Sequence, residues 1–284
     1  DLEIAKGYMN FQGVLGHEMV GTVVQGSADW RDKRVVGQIN CVCGQCDMCL
    51  SGLSDHCRAR TVLGIAGRDG CFADLVALPE HNLHEVPDSL SDEEAVFVEP
   101  LAAAYQVIKQ YPIETRTSVA VVGSGRLGLL VAQVLKCAGC QLEVVGRNPK
   151  TLLLCEKRGI MARSVDEVPI RADRDLVVEC SGSPQGLELA LQLVRPRGTV
   201  ILKSTYAGQA PLNLAPAVIG EINILGSRCG PFTDAIAALD RKQIDVLSMI
   251  TKTLPLERGV DAFELAASPE HIKVLLKINP GGGR

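Results

Sequence analysis

The stretch Ser118–Leu135, SVAVVGSGRLGLLVAQVL, decides the fold of this chain. An apolar, largely β-branched run ends in the motif Gly123-x-Gly125-x-x-Gly128, and a helical pattern follows at once. Such a run is typical of a parallel strand that is buried on both faces. The first glycine permits a sharp turn, the second lets the backbone approach a pyrophosphate, and the third lets the helix pack close to the strand. The residues that we expect to bind a dinucleotide here are Gly123, Gly125, Arg126, Leu127 and Gly128.

Strand-like segments recur after this stretch, at residues 142–145, 176–180 and 200–203, with helical patterns between them. The alternation predicts an α/β fold with a Rossmann-type, doubly wound parallel sheet. A glycine-rich turn in some other α/β sheet is the alternative. Because ligands of doubly wound sheets bind at the carboxyl ends of the strands, we expect further cofactor contacts there. The residues assigned to them are Ser181, Gly182, Ser204 and Arg228.

The end of the second strand indicates which dinucleotide is bound. NAD-dependent domains place a carboxylate there for the ribose hydroxyls, but this position is Gly146, and no Asp or Glu follows before Glu156. Arg147 and Lys150 come next, and a guanidinium group can hold a phosphate bidentately. These residues predict a 2′-phosphate site and NADP(H) in preference to NAD(H). The alternative is that the two basic residues begin a solvated helix.

The composition indicates a globular protein of two domains or one large domain, with 284 residues of which 46% are hydrophobic. A net charge of -4 does not favour a nucleic-acid partner. Since the sequence has no long apolar run and no visible signal peptide, we expect no membrane association. The 11 cysteines are odd in number and scattered, which indicates a reducing compartment, by default the cytoplasm.

Four of the cysteines lie close together at metal-ligand spacing. Cys43, Cys46, Cys49 and Cys57 follow the pattern C-x2-C-x2-C-x7-C. Four thiolates on one short loop form a closed tetrahedral site, which suits structural zinc. Free surface thiols and an iron–sulfur cluster are the alternatives. Cys41 is left out because C-x-C is too short for the usual pair of ligands.

Two further residues, His17 and Glu99, are of types that bind metals, but neither position by itself establishes this role. His17 lies beside Glu18 and between glycines, so it is either a metal ligand with an orienting carboxylate or a hydrogen-bonded core histidine. Glu99 lies among apolar residues, where a carboxylate is costly to bury unless it is paired or bound to metal. A capped surface position is the alternative for Glu99.

These motifs occur in one order: GHE-x-x-G, then the four cysteines, then Glu99 in V-E-P, then GxGxxG. Together they resemble the zinc-containing medium-chain alcohol dehydrogenase family over nearly the whole chain. The resemblance implies a GroES-like, mostly β catalytic domain that is split in sequence around the Rossmann domain. It also implies that His17 and Glu99 hold a catalytic zinc with Glu18 beside them, and that the four-cysteine loop holds a structural zinc.

One part of the family pattern is not found in this sequence. The family's first catalytic zinc ligand is a cysteine upstream of the GHE motif, and no cysteine precedes Cys41. The opening residues, Asp1-Leu2-Glu3, look like the end of the segment that carries it. Either the sequence is a fragment or the catalytic site is incomplete. We expect a fragment, because family members have further N-terminal strands in this domain.

The sequence therefore predicts a zinc-dependent oxidoreductase that transfers a hydride between a nicotinamide cofactor and a small alcohol, aldehyde or ketone. A zinc-independent NADPH reductase on the same fold and a catalytically incomplete nucleotide-binding protein are the competing classes. We expect a homo-oligomer. The expected domains are residues 1–104, a catalytic domain with the zinc loop 41–57; residues 105–230, the Rossmann domain; and residues 231–284, the return to the catalytic domain. In the last segment, the pattern predicts helices at 234–241 and 244–251 and a strand at 274–278.

Overall fold

The structure, a computed structural model, describes residues 1–205 and 212–278; the end of the expected return segment, 279–284, lies outside them. Among the described residues, no helix is long and apolar enough to cross a membrane. The strands are β1 (Val20–Thr22), β2 (Arg34–Gly37), β3 (Asn40–Cys41), β4 (Thr61–Leu63), β5 (Gly67–Arg68), β6 (Leu83–Glu85), β7 (Ser118–Val122), β8 (Gln141–Gly146), β9 (Met161–Ser164), β10 (Arg174–Glu179), β11 (Val194–Leu202), β12 (Asn223–Gly226), β13 (Ile250–Pro255) and β14 (Lys273–Lys277). The α-helices are α1 (Leu2–Ala5), α2 (Asp47–Leu50), α3 (Asp92–Ala95), α4 (Val98–Gln110), α5 (Arg126–Ala138), α6 (Pro149–Lys157), α7 (Pro184–Leu193), α8 (Ala215–Ile219), α9 (Phe232–Asp240) and α10 (Gly259–Ala267). Short 3-10 helices lie at Tyr8–Asn10, Ser54–His56, Glu80–Asn82, Leu247–Met249 and Leu256–Arg258.

The contacts divide the chain into two compact units. The first, here called the split unit, comprises Asp1–Pro100 and Phe232–Arg284. The second, the central unit, is the continuous segment Leu101–Pro231. One division falls inside helix α4 and the other immediately before helix α9.

The central unit is built on one six-stranded parallel sheet with the strand order β12-β11-β10-β7-β8-β9. Numbered along the chain within this sheet, the order reads 6-5-4-1-2-3, which is the doubly wound arrangement. The predicted Rossmann-type fold is therefore confirmed. The order reverses between β7 and β10, whose carboxyl ends are neighbours, and ligands of such sheets bind at this point.

The glycine motif forms the junction between the first strand of this sheet and the helix that follows it. The apolar run of β7 is buried from Val119 to Val122, as a central parallel strand requires. Helix α5 begins immediately after Gly125 and buries most of its apolar side chains. It ends before Gly139, whose φ of 82° closes the helix in a left-handed conformation that favours glycine. The strands predicted at 142–145, 176–180 and 200–203 correspond to β8, β10 and β11.

The strands of the split unit lie in small sheets and alternate with short helices. Strands β1, β2 and β6 form an antiparallel sheet in the order β1-β2-β6, β3, β4 and β5 form a second sheet, and β13 pairs in parallel with β14. Helix α3 begins at a capping box: the Glu94 backbone N–H donates to the Ser91 hydroxyl (3.2 Å), and the Ser91 backbone N–H donates to the Glu94 carboxylate (3.1 Å). The chain then continues into α4, which carries Glu99.

The helix predicted at residues 244–251 is wrong. The structure has a 3-10 turn at Leu247–Met249, and strand β13 begins at Ile250. Ile244, Val246 and Met249 are buried, so their apolar spacing reflects a core contact rather than a helix face. The next residues extend because they pair with β14, a partner that is distant in sequence. The helix predicted at 234–241 and the strand predicted at 274–278 correspond to α9 and β14.

Candidate metal and dinucleotide sites

The four cysteines of the zinc loop form one cluster in the split unit. The Sγ of Cys57 lies 3.5 Å from that of Cys43 and 3.8 Å from that of Cys46, and the Sγ atoms of Cys46 and Cys49 are 3.6 Å apart. One ligand atom from each of the four residues lies within 4.8 Å of the others. Four sulfur donors at this separation fit a single tetrahedral ion, and zinc is the ion that such a donor set suits.

Backbone hydrogen bonds favour thiolates at two positions of this cluster. The backbone N–H groups of Arg58 and Cys49 lower the pKa of Cys46 to about 6. Those of Gln45 and Cys46 lower the pKa of Cys43. Because the thiolate is the form of cysteine that binds metal, the loop is pre-organised for a cation. The guanidinium of Arg58 also donates twice to the Asp47 carboxylate, at 2.7 Å each, and so closes the loop on its outer side.

A second cluster of ligand side chains joins two segments of the split unit that are far apart in sequence. Nitrogen and carboxylate atoms of His17, Glu18 and Glu99 lie within 4.8 Å of one another. The first two precede strand β1, and Glu99 lies in the first turn of α4. The chain enters the cluster through Gly16, whose φ is 96° and whose absent side chain leaves room for Phe72. The sequence thus places all three residues where a single ion can contact them.

The imidazole of His17 is in the state that a metal ligand requires. Burial lowers its pKa, although the carboxylates of Glu99 and Glu18 act in the opposite direction. The ring is therefore neutral at physiological pH. Its Nδ1 is buried, lies 3.2 Å from Asp1 Oδ1 and forms no hydrogen bond. A buried imidazole with one ring nitrogen that has no hydrogen bond among the described residues, in a cluster with the Glu18 and Glu99 carboxylates, fits a zinc ligand set of nitrogen and oxygen donors.

Lys273 completes this cluster, and nothing in the sequence indicated it. Its Nζ forms an ion pair with the Glu18 carboxylate and lies 5.3 Å from the centre of the Phe97 ring. Burial alone would raise the pKa of Glu18, but the interactions around the carboxylate, of which the charge of Lys273 has the largest effect, together outweigh burial and lower that pKa. Glu18 is therefore a carboxylate held by a lysine from β14.

Each of the three glycines in the motif Gly123-x-Gly125-x-x-Gly128 is explained by a different structural constraint. Gly123 has a φ of 109°, and a Cβ there would lie 2.7 Å from the backbone of Cys180 and Ser181. A Cβ on Gly128 would lie 1.8 Å from the carbonyl oxygen of Gly123. No atom beyond the neighbouring residues lies within 4 Å of the Cβ position of Gly125, which is the N-cap of α5. The loop therefore leaves open space at the helix N-terminus, where a pyrophosphate is expected to bind.

The predicted contacts at the ends of β10 and β11 share one buried carboxylate, Glu179. It accepts hydrogen bonds from the backbone N–H of Ser181 (2.6 Å) and from the hydroxyl of Ser204. The Ser204 hydroxyl in turn accepts from the backbone N–H of Gly182 at 3.0 Å. Glu179 thus holds together three residues assigned to the cofactor site. In the sequence, Glu179 is an acidic residue at the end of an apolar strand, and this position could have indicated its role.

Arg228 lies in the segment after β12, and its backbone is held by a buried lysine at the end of β11. The ammonium of Lys203 donates to the carbonyl oxygens of Arg228 (2.8 Å) and Ala103 (2.7 Å) and to the Ser227 hydroxyl (3.2 Å). No pattern in the sequence indicated a role for Lys203. It fixes the chain after β12 at the carboxyl edge of the sheet.

The end of β8 presents basic residues and no side chain at its last position. Gly146 is buried, and Arg147 and Lys150 are exposed beside it. Asn148 caps helix α6 by accepting a hydrogen bond from the backbone N–H of Lys150 at 2.9 Å. Arg126 and Leu127 form the start of α5 at the neighbouring strand end. The strand's own acid, Glu143, is buried and engaged by two arginines, Arg163 and Arg174.

Comparison with known proteins identifies the family. The family model "Alcohol dehydrogenase GroES-like domain" matches residues 1–88, and "Zinc-binding dehydrogenase" matches residues 127–243. L-threonine 3-dehydrogenase of Streptomyces coelicolor is 31% identical over 93% of this chain and 82% of its own length. The chain belongs to the zinc-containing medium-chain dehydrogenase family. D-arabitol-phosphate dehydrogenase of Enterococcus avium is also similar, at 29% identity over 94% of this chain and 82% of its own length.

Solved structures of the family agree with the fold. Alcohol dehydrogenase from Thermus sp. ATN1 superimposes with a TM-score of 0.83 and 27% identity, covering 94% of this chain and 84% of that one. A zinc-binding dehydrogenase of Sinorhizobium meliloti bound to NADP has a TM-score of 0.82 and 26% identity, covering 93% and 83%. As a family member, the protein is a zinc-dependent alcohol oxidoreductase that uses a nicotinamide cofactor. The predicted fold class, family and enzyme class are confirmed.

The variants Gly128→Ala and Gly125→Ala should separate packing from ligand contact. Gly128→Ala is expected to lower the free energy of unfolding by about 1–3 kcal/mol, because its Cβ meets a backbone carbonyl that cannot move freely. Gly125→Ala should leave that free energy nearly unchanged and weaken nucleotide binding about tenfold or more, since the methyl group enters the open space. Denaturant unfolding and nucleotide titration measure the two effects. Equal destabilisation by both variants would contradict this assignment.

Proposed function

We propose that the protein transfers a hydride between a small hydroxylated substrate and NADP(H) and that it binds two zinc ions. The observation that carries this proposal is the His17–Glu18–Glu99 cluster, a ligand set separate from the four cysteines. His17 and Glu99 would hold the catalytic zinc, and Cys43, Cys46, Cys49 and Cys57 would hold the structural one. Relatives named for D-arabitol phosphate, sorbitol and L-threonine support a small hydroxylated substrate.

Each residue of the catalytic cluster has a distinct part in this proposal. Zinc held there would supply a Lewis acid for the substrate oxygen, and the nicotinamide would supply or accept the hydride. His17 offers a neutral imidazole nitrogen, and Glu99 offers a carboxylate oxygen. Glu18 keeps its negative charge beside them because Lys273 balances it. Lys273 thereby orients Glu18 next to the imidazole.

The end of β8 supports NADP(H) as the preferred cofactor. A carboxylate at that position would repel a 2′-phosphate, whereas Gly146 carries no charge. Arg147 and Lys150 lie exposed beside it and can contribute two positive charges. Family likeness alone does not decide the preference, because one similar structure is bound to NADP and another, from Escherichia coli CFT073, to NADH. The proposed preference for NADP(H) therefore rests on Gly146, Arg147 and Lys150 of this chain.

Exposed apolar residues at the edge of the central sheet support a homo-oligomer. A second copy of the chain would pack against that edge. Strand β12 is an edge strand, with Ile224 partly exposed at 40%. Val218 and Ile219 on neighbouring α8 are 77% and 85% exposed. An edge with free backbone groups and apolar side chains is a template for pairing with another strand.

Replacing Cys46 with serine should remove the structural zinc. Because Cys46 is one of four donors, the Cys46→Ser variant is expected to contain about one zinc fewer per chain and to unfold at a lower temperature, since structural zinc contributes folding free energy directly. Metal analysis by mass spectrometry and a thermal melt measure both. A zinc content equal to that of the unchanged protein would refute the assignment.

Replacing His17 with alanine should remove the other zinc and leave nucleotide binding intact. The variant is expected to lose about one zinc per chain and all zinc-dependent turnover, while its affinity for NADPH stays within a few-fold. Cys46→Ser is the matched control, because it removes the same amount of metal from the other cluster. If the His17→Ala protein retained its full zinc content and oxidised alcohols normally, the catalytic-zinc proposal would fail. NADPH binding without turnover in the unchanged chain would favour a nucleotide-binding protein.

Replacing Arg147 with alanine should reduce the preference for NADPH. The loss of a guanidinium contact with phosphate is expected to lower kcat/KM for NADPH about tenfold or more and to leave that for NADH nearly unchanged. Lys157→Ala serves as a control, because it removes a positive charge from the far end of the same helix. A greater kcat/KM for NADH in the unchanged protein would contradict the preference itself.

Replacing Ile219 with glutamate should disrupt the proposed homo-oligomer. The charge enters a surface that association would bury, so we expect a smaller molar mass in light scattering coupled to size-exclusion chromatography. Leu153→Glu is the control, because Leu153 is another exposed apolar residue, on helix α6. A monomeric unchanged protein would refute the proposal.

A further inference from the structure

Gly146 is a glycine because of its surroundings and not because of its backbone. Its φ lies outside the left-handed region, so its conformation is open to any residue. The space is not open: a Cβ at this position would lie 2.2 Å from the Oγ of Ser124 and 2.7 Å from the Cβ of Ser124. The Cβ of Ser124 cannot rotate away, because it is attached directly to the backbone. Ser124 therefore excludes a side chain at the end of β8.

Ser124 is fixed in this position by a hydrogen-bond chain. Its side chain is buried, and its Oγ lies 2.6 Å from the Oγ1 of Thr151, which is also buried. Thr151 donates its own hydroxyl proton to the carbonyl oxygen of Asn148 at 2.9 Å. Ser124 must then be the donor to Thr151. Both hydroxyl protons are used, so the serine has little freedom to turn out of the space beside Gly146.

This hydrogen-bond chain links the glycine loop to the residues that would bind a 2′-phosphate. Ser124 lies between the first two glycines of the loop, after β7, and β7 and β8 pair side by side up to Val122 and Val145. Thr151 lies in the first turn of α6, whose N-cap is Asn148. Arg147 and Lys150 flank that N-cap. Ser124 thus occupies the space of a side chain at position 146 and, through Thr151, fixes the turn that carries the basic residues.

We propose that Ser124 is a specificity-determining residue, which excludes the ribose-binding carboxylate from position 146 and positions the turn that carries Arg147 and Lys150. This inference rests on the proposed preference for NADP(H). Its consequence is that an acidic residue at position 146 cannot produce an NADH-preferring protein unless residue 124 loses its side chain as well. Cofactor specificity is then a property of the pair 124 and 146.

Steric coupling between the two positions is the first test, and it does not involve a cofactor. Thermal midpoints are compared for the full chain and for the variants Gly146→Ala, Ser124→Gly and the double variant. Gly146→Ala is expected to lower the midpoint by several degrees, because its Cβ collides with Ser124. In the Ser124→Gly background, the same change should lower it by less than half as much. Additive effects would overturn the inference.

Cofactor binding is the second test. Affinities for NADPH and NADH are measured by titration for Gly146→Asp with and without Ser124→Gly. We expect Gly146→Asp alone to weaken both cofactors, and the double variant to shift the affinity ratio toward NADH by about tenfold or more relative to the unchanged protein. Thr151→Val is the control: it breaks the hydrogen bond but leaves Ser124 beside Gly146, so Gly146→Asp should gain no NADH binding in that background.

The outcomes separate this inference from the proposed function. Tighter binding of NADH by the unchanged protein overturns the proposed NADP(H) preference, whatever the variants do. Strong NADH binding by Gly146→Asp alone, or no shift toward NADH in the double variant, overturns the role of Ser124 even when the unchanged protein prefers NADPH. Coupled midpoints together with the shift in the double variant support it.

Discussion

The ion pair between Lys273 and Glu18 is the interaction on which the split unit depends. Placing two half-buried carboxylates, Glu18 and Glu99, beside one imidazole costs free energy, because each charge loses part of its hydration. Lys273 offsets part of that cost, because it has the largest effect among the interactions that together lower the pKa of Glu18 against burial. The lysine comes from β14, close to the end of the described chain, so the segment after the central unit has to return to the first segment. The return of the last segment to the first segment therefore also brings the positive charge that balances Glu18.

The central unit depends on close approach of backbones instead. Gly128 lets α5 approach the carbonyl of Gly123, and Gly123 lets the first turn approach the chain after β10. Between them, the Cβ position of Gly125 has open space around it, so the motif combines two close backbone contacts with one opening. The buried carboxylate of Glu179 then fixes the loops on the other side of the topological switch. The site therefore has close backbone contacts at its edges and open space beside the helix N-terminus.

Much of this arrangement could be predicted from local sequence. The glycine spacing, the cysteine spacing and the capping box at Ser91 are short-range patterns, and each corresponds to a short-range structure. The helix predicted at 244–251 was wrong because β13 depends on pairing with β14, which no local pattern reveals. Lys273 and the contact of Ser124 with Gly146 were missed for the same reason: in each case the partner lies far along the chain and the residue itself is ordinary.

The two candidate sites consequently differ in how they are assembled. The dinucleotide residues lie on one continuous segment, so local strand and helix formation brings them to one edge of one sheet. The ligand cluster takes His17 and Glu18 from the first segment, Glu99 from the start of α4, and its compensating charge from β14. Its charge balance needs the last segment in place, a non-local contact that costs loop-closure entropy. With Lys273 in place, the formal charges of Glu18, Glu99 and Lys273 leave one net negative charge. A divalent cation at His17 and Glu99 would more than offset that remaining charge, so the metal and the lysine would reduce the same electrostatic cost.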